Sequence, residues 1–221
     1  MKQIYLIRHG QSNSNAGGDA EPNAQIELTA MGREQAEAVA QWLSDTLGDN
    51  IDSINVSKFI RTQQTAQPFV EQMGIQPIVI EGLQEFDYLS FTAIDGTSLD
   101  YRRQLADDYW VVFDVDDRAG EDSESYREFC TRVAEVLEQF KAMPDGTHVV
   151  YTHGIWMSML VWQILGQPYH NNEQMRKFRQ FEMSIRPRNC EVLRLTLHDD
   201  FPPAITKVRS CDNAPLDSHL T

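Results

Sequence analysis

Continuous apolar runs alternate with helical periodicities along most of this chain. Residues 3–7, QIYLI, are apolar almost throughout, which predicts a strand covered on both faces. In ELTAMGREQAEAVAQWLSDTL (27–47), Ala36, Val39, Ala40, Leu43 and Leu47 fall at helical spacing behind Thr29, a residue suited to cap a helix start. DSINVS (52–57) predicts a second strand, RTQQTAQPFVEQM a helix ending at Gly74, and QPIVI (76–80) a third strand. Residues 122–141 predict a long amphipathic helix with Phe129, Val133, Val136, Leu137 and Phe140 on one face. THVVYT (147–152) predicts a fourth strand, and GIWMSMLVWQILG an apolar helix closing at Gly166, with Trp156, Met157, Met159 and Trp162 in the core. CEVLRLTL (190–197) reads as a late strand.

Strands alternating with helices predict an α/β fold, a mostly parallel central sheet with helices on both faces. Nothing resembles a repeat or a linker, so residues 1–221 are expected to form a single domain. The segment from about 84 to 120 breaks the rhythm with acids and aromatics and reads as a lid or insertion. The tail after Asp199, with Pro202, Pro203 and Pro215, reads as a loosely ordered strap.

Charge narrows the partners. Thirty-three acidic residues against 19 basic ones give a formal net charge of −14, which opposes binding to nucleic acid or an anionic membrane. Cys130, Cys190 and Cys211 are odd in number and unpaired in spacing, so neither a disulfide framework nor a zinc site is expected. The start, MKQIYLIRHG, has too short an apolar run for a signal peptide, and no run approaches membrane-spanning length. The expected location is the cytoplasm.

The unusual polar residues follow the strands. Arg8 and His9 come straight after the first, Arg61 shortly after the second, Glu85 after the third, and His153 after the fourth. The carboxyl ends of parallel strands share one sheet edge, where open α/β folds hold ligands. Arginine forks around histidine suit a phosphoryl group, with Ser12 and Asn15 as neutral donors and Gly10 admitting an anion to the backbone. Ser12 serves equally well as a turn residue. One imidazole can attack phosphorus and the other can donate to an oxygen. Glu85 is the candidate general acid, with Glu81 and Asp87 close enough to compete. Arg102 and Arg103 could reach over the mouth to the substrate's distal end, but the favoured expectation is a solvated helix, paired with Asp100, Asp107 or Asp108. His148, His170, His198 and His219 are expected to be ordinary surface or core histidines.

LIRHGQSNSN, SKFIRTQQTA and YTHG, together with LTAMGREQA, GEDSESYREFCTRV, RNCEVLRL and DNAPLDSHL, resemble the motifs of the histidine phosphatase superfamily, phosphoglycerate-mutase-like, branch 1. The resemblance implies that His9 is the phosphorylated nucleophile and that Arg8, Arg61 and His153 complete the phosphate pocket. It further implies that Asn15 is a phosphate donor, Glu85 the proton donor and Ser57 a pocket-lining residue. Two family elements are missing: after Glu85 stand Phe86-Asp87-Tyr88-Leu89, where mutases carry Arg-His-Tyr-Gly and many phosphatases Trp-Glu-Gly. The expectation is a metal-independent phosphoric monoester hydrolase, acting without cofactor on a small phosphorylated metabolite. Self-association into a homo-oligomer is compatible with the sequence. A phosphoglycerate-type mutase and a non-catalytic phospholigand-binding module are the alternatives. A metal hydrolase is disfavoured because two arginines would oppose a dication.

Overall fold

In the computed structural model, residues 1–211 are described. The tail positions Pro215 and His219, and the motif DNAPLDSHL, lie outside them. The chain forms β1 (Lys2–Arg8), α1 (Ala30–Leu47), β2 (Ser53–Val56), α2 (Ile60–Met73), β3 (Ile78–Val79), α3 (Phe91–Ile94) and α4 (Leu99–Val112). It continues through α5 (Tyr126–Ala142), β4 (Gly146–Thr152), α6 (Gly154–Ile164), α7 (Asn172–Ile185), β5 (Val192–Leu197) and β6 (Ala204–Arg209). The strands make one sheet in the order β3-β2-β4-β1-β5-β6. The first four are mutually parallel, β5 adds antiparallel to β1, and β6 antiparallel to β5.

Side-chain alternation explains why both faces are covered. Tyr5 and Ile7 of β1 join Ile54, Val56, Val149 and Tyr151 against Val39 and Leu43 of α1 and Phe69 of α2. Ile4 and Leu6 point the other way, into a larger cluster with Phe129, Val133 and Phe140 of α5 and the apolar turns of α6. Because both faces are buried, the central strands read as unbroken apolar runs.

Thr29 caps α1, accepting from Gly32 N, and Ser125 caps α5 in a reciprocal box with Glu128. That box begins α5 at Tyr126, four residues after the predicted start. β3 has only two ladder residues and both are exposed, so it is a short edge rather than a buried strand. The expected strap is instead partly β6, which pairs antiparallel along β5 and becomes the edge of the sheet. Within 84–120, α3 and α4 pack over the loop after β1, with Leu99 against Gly17. α7 was not foreseen: Asn171 caps it, and Met175 and Phe178 bury its apolar stripe.

Candidate active site

β1 and β4 are adjacent and in parallel register, Arg8 opposite Thr152, so the two strand–His–Gly stretches end side by side. His9 N donates to Thr152 O at 3.0 Å, and Ser57 N, leaving β2, donates to Tyr151 O at 3.2 Å. The imidazoles of His9 and His153 meet edge to face with centroids 5.2 Å apart. Arg61, in the first turn of α2, completes the group by donating from Nε to His9 Nε2 at 3.2 Å. Arg8, His9, Arg61, Glu85 and His153 are all buried.

The hydrogen bonds fix how each ring presents itself. His9 Nδ1 lies 2.7 Å from Gly10 O, an atom that only accepts, so Nδ1 carries the proton and Nε2 the lone pair. Burial first, then the guanidinium of Arg61 and that of Arg8, hold His9 well below the usual histidine range, while the bond to Gly10 pulls the other way. His9 is therefore neutral at pH 7, with an unprotonated Nε2 that accepts from Arg61 Nε. His153 is also lowered, chiefly by burial and then by Arg61, His9 and Arg8. Its Nε2 pairs with Ser57 Oγ at 2.8 Å. Its buried Nδ1 has no hydrogen-bond partner among the described residues. With the Ser57 hydroxyl donating to Nε2, Nδ1–H is a donor waiting for an acceptor.

Arg61 spends its outer nitrogens on Asn23, NH1 on the backbone O at 2.6 Å and NH2 on Oδ1 at 2.9 Å. Burial lowers Arg61 to about 10, with Glu85 and Asp87 opposing the shift, so it remains a cation at neutral pH. Arg8 NH1 donates to Pro187 O at 2.8 Å. Two fixed cations beside two neutral imidazoles make a pocket for an anion.

Glu85 closes the far side, held by a loop that Arg132 of α5 ties through Gly82 O and Gln84 O. Glu85 Oε1 accepts from Phe86 N and Trp156 N, and Oε2 from Ile155 N, each at 3.0 Å. It thereby caps the start of α6, whose own cap residue, His153, makes no side-chain cap bond. Asp87 sits at the mouth, accepts from Asn23 Nδ2 at 3.1 Å, and is pushed up to about 6, mainly by burial. Glu81 is outside this group, exposed and paired with Lys58 at 3.6 Å.

Ser12 and Asn15 close a reciprocal turn: Ser12 N donates to Asn15 Oδ1 and Asn15 N to Ser12 Oγ, each at 3.2 Å. Gly10 is needed for packing, since a Cβ there would lie 2.5 Å from Gly32 O at the start of α1. At Gly154 a Cβ would meet Arg8 Nε at 3.0 Å and Arg186 Cγ at 3.1 Å, so the glycine makes room for both guanidinium arms.

Arg103 pairs with Asp100 as expected, at 3.5 Å on the surface. Arg102 corrects the expectation: it is 7 % exposed and turns inward, donating from NH2 to Gly18 O at 2.7 Å. His148 is a structural histidine, bonded to Ser53 Oγ and Pro144 O. His170 packs tilted on Tyr169, and His198 meets Phe201 edge to face.

Several supporting residues were missed. Asn189 Nδ2 donates to His9 O at 2.9 Å and to Asn15 Oδ1 at 3.1 Å. Glu182 accepts from Arg179 NH1 and Arg186 Nε, anchoring the segment whose Pro187 holds Arg8. Asn23 holds Arg61. The Asn-capped pattern of 171–185 was a readable signal for α7. Nothing local marked Asn23 or Asn189.

A mostly parallel α/β sheet with two histidines and two arginines at its carboxyl edge defines the phosphoglycerate-mutase-like fold. A family model described as histidine phosphatase superfamily (branch 1) matches residues 4–204, and the chain belongs to that superfamily. Among curated relatives, "Probable phosphoglycerate mutase GpmB" of Enterobacter sp. (strain 638) is 32% identical over 201 residues, 88% of this chain and 85% of the relative. The relative of the same name from Escherichia coli O1:K1 / APEC is 33% identical with the same coverage. The fold resembles that of the alpha-ribazole phosphatase of Shigella flexneri, with a TM-score of 0.71, 20% identity, and coverage of 94% of this chain and 96% of that one. It also resembles that of a phosphoserine phosphatase from Entamoeba histolytica crystallised with 3-phosphoglyceric acid, with a TM-score of 0.69, 21% identity, and coverage of 96% and 98%. No helix among the described residues is long and apolar enough to cross a membrane.

Proposed function

We propose that this chain is a phosphomonoesterase of the cytoplasm, acting on a small phosphorylated metabolite through phosphohistidine at His9, without metal or cofactor. The observation that carries the reading is the His9 tautomer: Nδ1–H donates to Gly10 O, which leaves Nε2 unprotonated, its lone pair accepting from Arg61 Nε. In the first step Nε2 bonds to phosphorus as the phosphorus–alkoxide oxygen bond breaks, and a carboxyl protonates the departing oxygen. Arg8, Arg61 and the Nδ1–H of His153 bear the charge of the phosphoryl oxygens, while Ser57 aims His153. In the second step water attacks phosphorus, gives a proton to the carboxylate, and the N–P bond breaks to release phosphate. We assign proton transfer to Glu85, with Asp87 as the rival group. Asn15 and Ser12 shape the loop that follows His9.

The relatives' printed name favours a mutase, and some solved structures of like fold are titled phosphatases. A mutase must hold a second phosphate, yet the cleft beside the site carries Asp19, Glu21 and Asp87 against Arg102. That charge balance supports hydrolysis. The test is a brief reaction with a phosphomonoester and an alkaline quench. Phosphate should be found on His9, acid-labile and alkali-stable, and His9→Ala should abolish it. Turnover should survive exhaustive chelation and be blocked by vanadate, which adopts the five-coordinate geometry of the transfer. Monophosphoglycerate interconversion with little free phosphate would favour the mutase. Ligand binding without turnover would favour the phospholigand-binding module.

A further inference from the structure

Beside Arg61 opens a cleft whose empty space, open solvent included, is about 600 Å³. It joins the phosphate site through Asn23 and Asp87, which line it and are bonded to each other, while Asn23 also holds Arg61. One wall is apolar, formed by Ile26, Phe86, Tyr88, Phe91 and Ile94. Arg102 lines the cleft from α4 with nine-tenths of its surface buried. Its Nε–H meets no acceptor among the described residues. A buried donor left unsatisfied has lost its water with nothing in return, so a ligand oxygen beside it recovers that loss.

We propose that this cleft receives the alcohol part of the substrate and that Arg102 selects it. The class is a phosphomonoester of an apolar, ring-sized alcohol carrying one carbonyl or carboxylate oxygen. A bisphosphate is disfavoured, because a second dianion would face Asp19, Glu21 and Asp87 with a single guanidinium for partner. The assignment of the occupant as a substrate alcohol rests on the phosphomonoesterase reading. The binding chemistry of the cleft does not.

The experiment uses phosphonates, which bind as phosphate esters do but cannot be cleaved. Dissociation constants for methylphosphonate, benzylphosphonate and the three carboxybenzylphosphonates are measured by calorimetry on the full chain and on Arg102→Gln. Benzylphosphonate should bind at least about tenfold more tightly than methylphosphonate, from burial of the ring. The best carboxylated isomer should exceed benzylphosphonate by about 10–100-fold, the usual worth of a charge-assisted hydrogen bond. Arg102→Gln should bring that second ratio below about threefold. If Arg102→Gln does not fold, Arg102→Lys retains a charge and a donor for Gly18 O while removing Nε–H, and should lower the ratio likewise. The proposal is overturned if no isomer gains, if the gain persists without Arg102, if the ring adds nothing, or if no phosphonate binds. Turnover of benzyl phosphate separates the two readings. Cleavage with flat binding ratios defeats the cleft proposal and leaves the phosphomonoesterase standing, and ratios as expected without cleavage defeat only the phosphomonoesterase.

Discussion

Glu85→Gln is the most informative single change, because it perturbs a helix cap and a proposed proton donor together. The carboxylate accepts two backbone N–H groups at Oε1 and one at Oε2, all at 3.0 Å. An amide oxygen can keep the pair at one position, but its NH2 must then face the N–H of Ile155. One buried donor opposed to another costs on the order of 1–3 kcal/mol. At about 2–4 °C per kcal/mol for a chain of this size, the melting temperature should fall by roughly 2–12 °C. Lost general-acid catalysis should slow alkyl phosphomonoesters by about 10²–10⁴-fold, while nitrophenyl phosphate, whose leaving group needs no proton, slows far less. Asp87→Asn is the paired measurement. Its carboxyl, raised to about 6, accepts only from Asn23 among the described residues. It should cost little stability and leave the leaving-group dependence in place. Steady-state rates on both esters at a temperature where each variant is folded decide the matter. If Asp87→Asn shows the leaving-group dependence and Glu85→Gln shows only the lost stability, Glu85 is a helix cap and Asp87 is the acid.

Three further outcomes are expected. His9 and His153 are held neutral by burial, so the unfolded chain binds more protons below about pH 6.5 and stability should fall as pH drops through that value, by up to about 1.4 kcal/mol per pH unit for each ring. Asp87 works in the opposite sense between about 6 and the ordinary carboxylate value, so Asp87→Asn should steepen that loss; denaturant melts between pH 4 and 8 that are flat would refute the buried neutral pair. Asn189→Ala removes the side-chain donor from His9 O and from Asn15 Oδ1, and should destabilise by about 1–3 kcal/mol while lowering kcat; unchanged kinetics would show that the His9 backbone needs no such clamp. Gly154→Ala drives a methyl against Arg8 and Arg186, and should raise the inhibition constant of phosphate or vanadate at least about tenfold; unchanged inhibition would mean that Arg8 does not bear on the anion.

Much of this molecule was legible in one dimension. Short, nearly continuous apolar runs at 3–7 and 147–152 read as strands covered on both faces, because alternating strands have one wet face and runs this short suit strands better than helices. The 3.6-residue stripes of 27–47 and 122–141, with Thr29 at the first start, marked two of the covering helices. Arg8-His9 and His153 were conspicuous because a charged or titratable group at the end of a buried strand has no packing reason to be there. Parallel pairing then put them on one edge. Other features were settled only when distant segments met. The His9 tautomer depends on the neighbouring carbonyl and on Arg61, 52 residues away. Glu85 acquired its partners from the amides of Ile155 and Trp156, about 70 residues on. Arg102 had acids at hand in its own helix, yet it turned inward because α4 packs on the loop after β1 and offers Gly18 O. Local pattern reports which groups want burial, since periodicity is a property of the backbone. Which partner satisfies a buried polar group is decided by packing, and the charges and protons of this site follow from that.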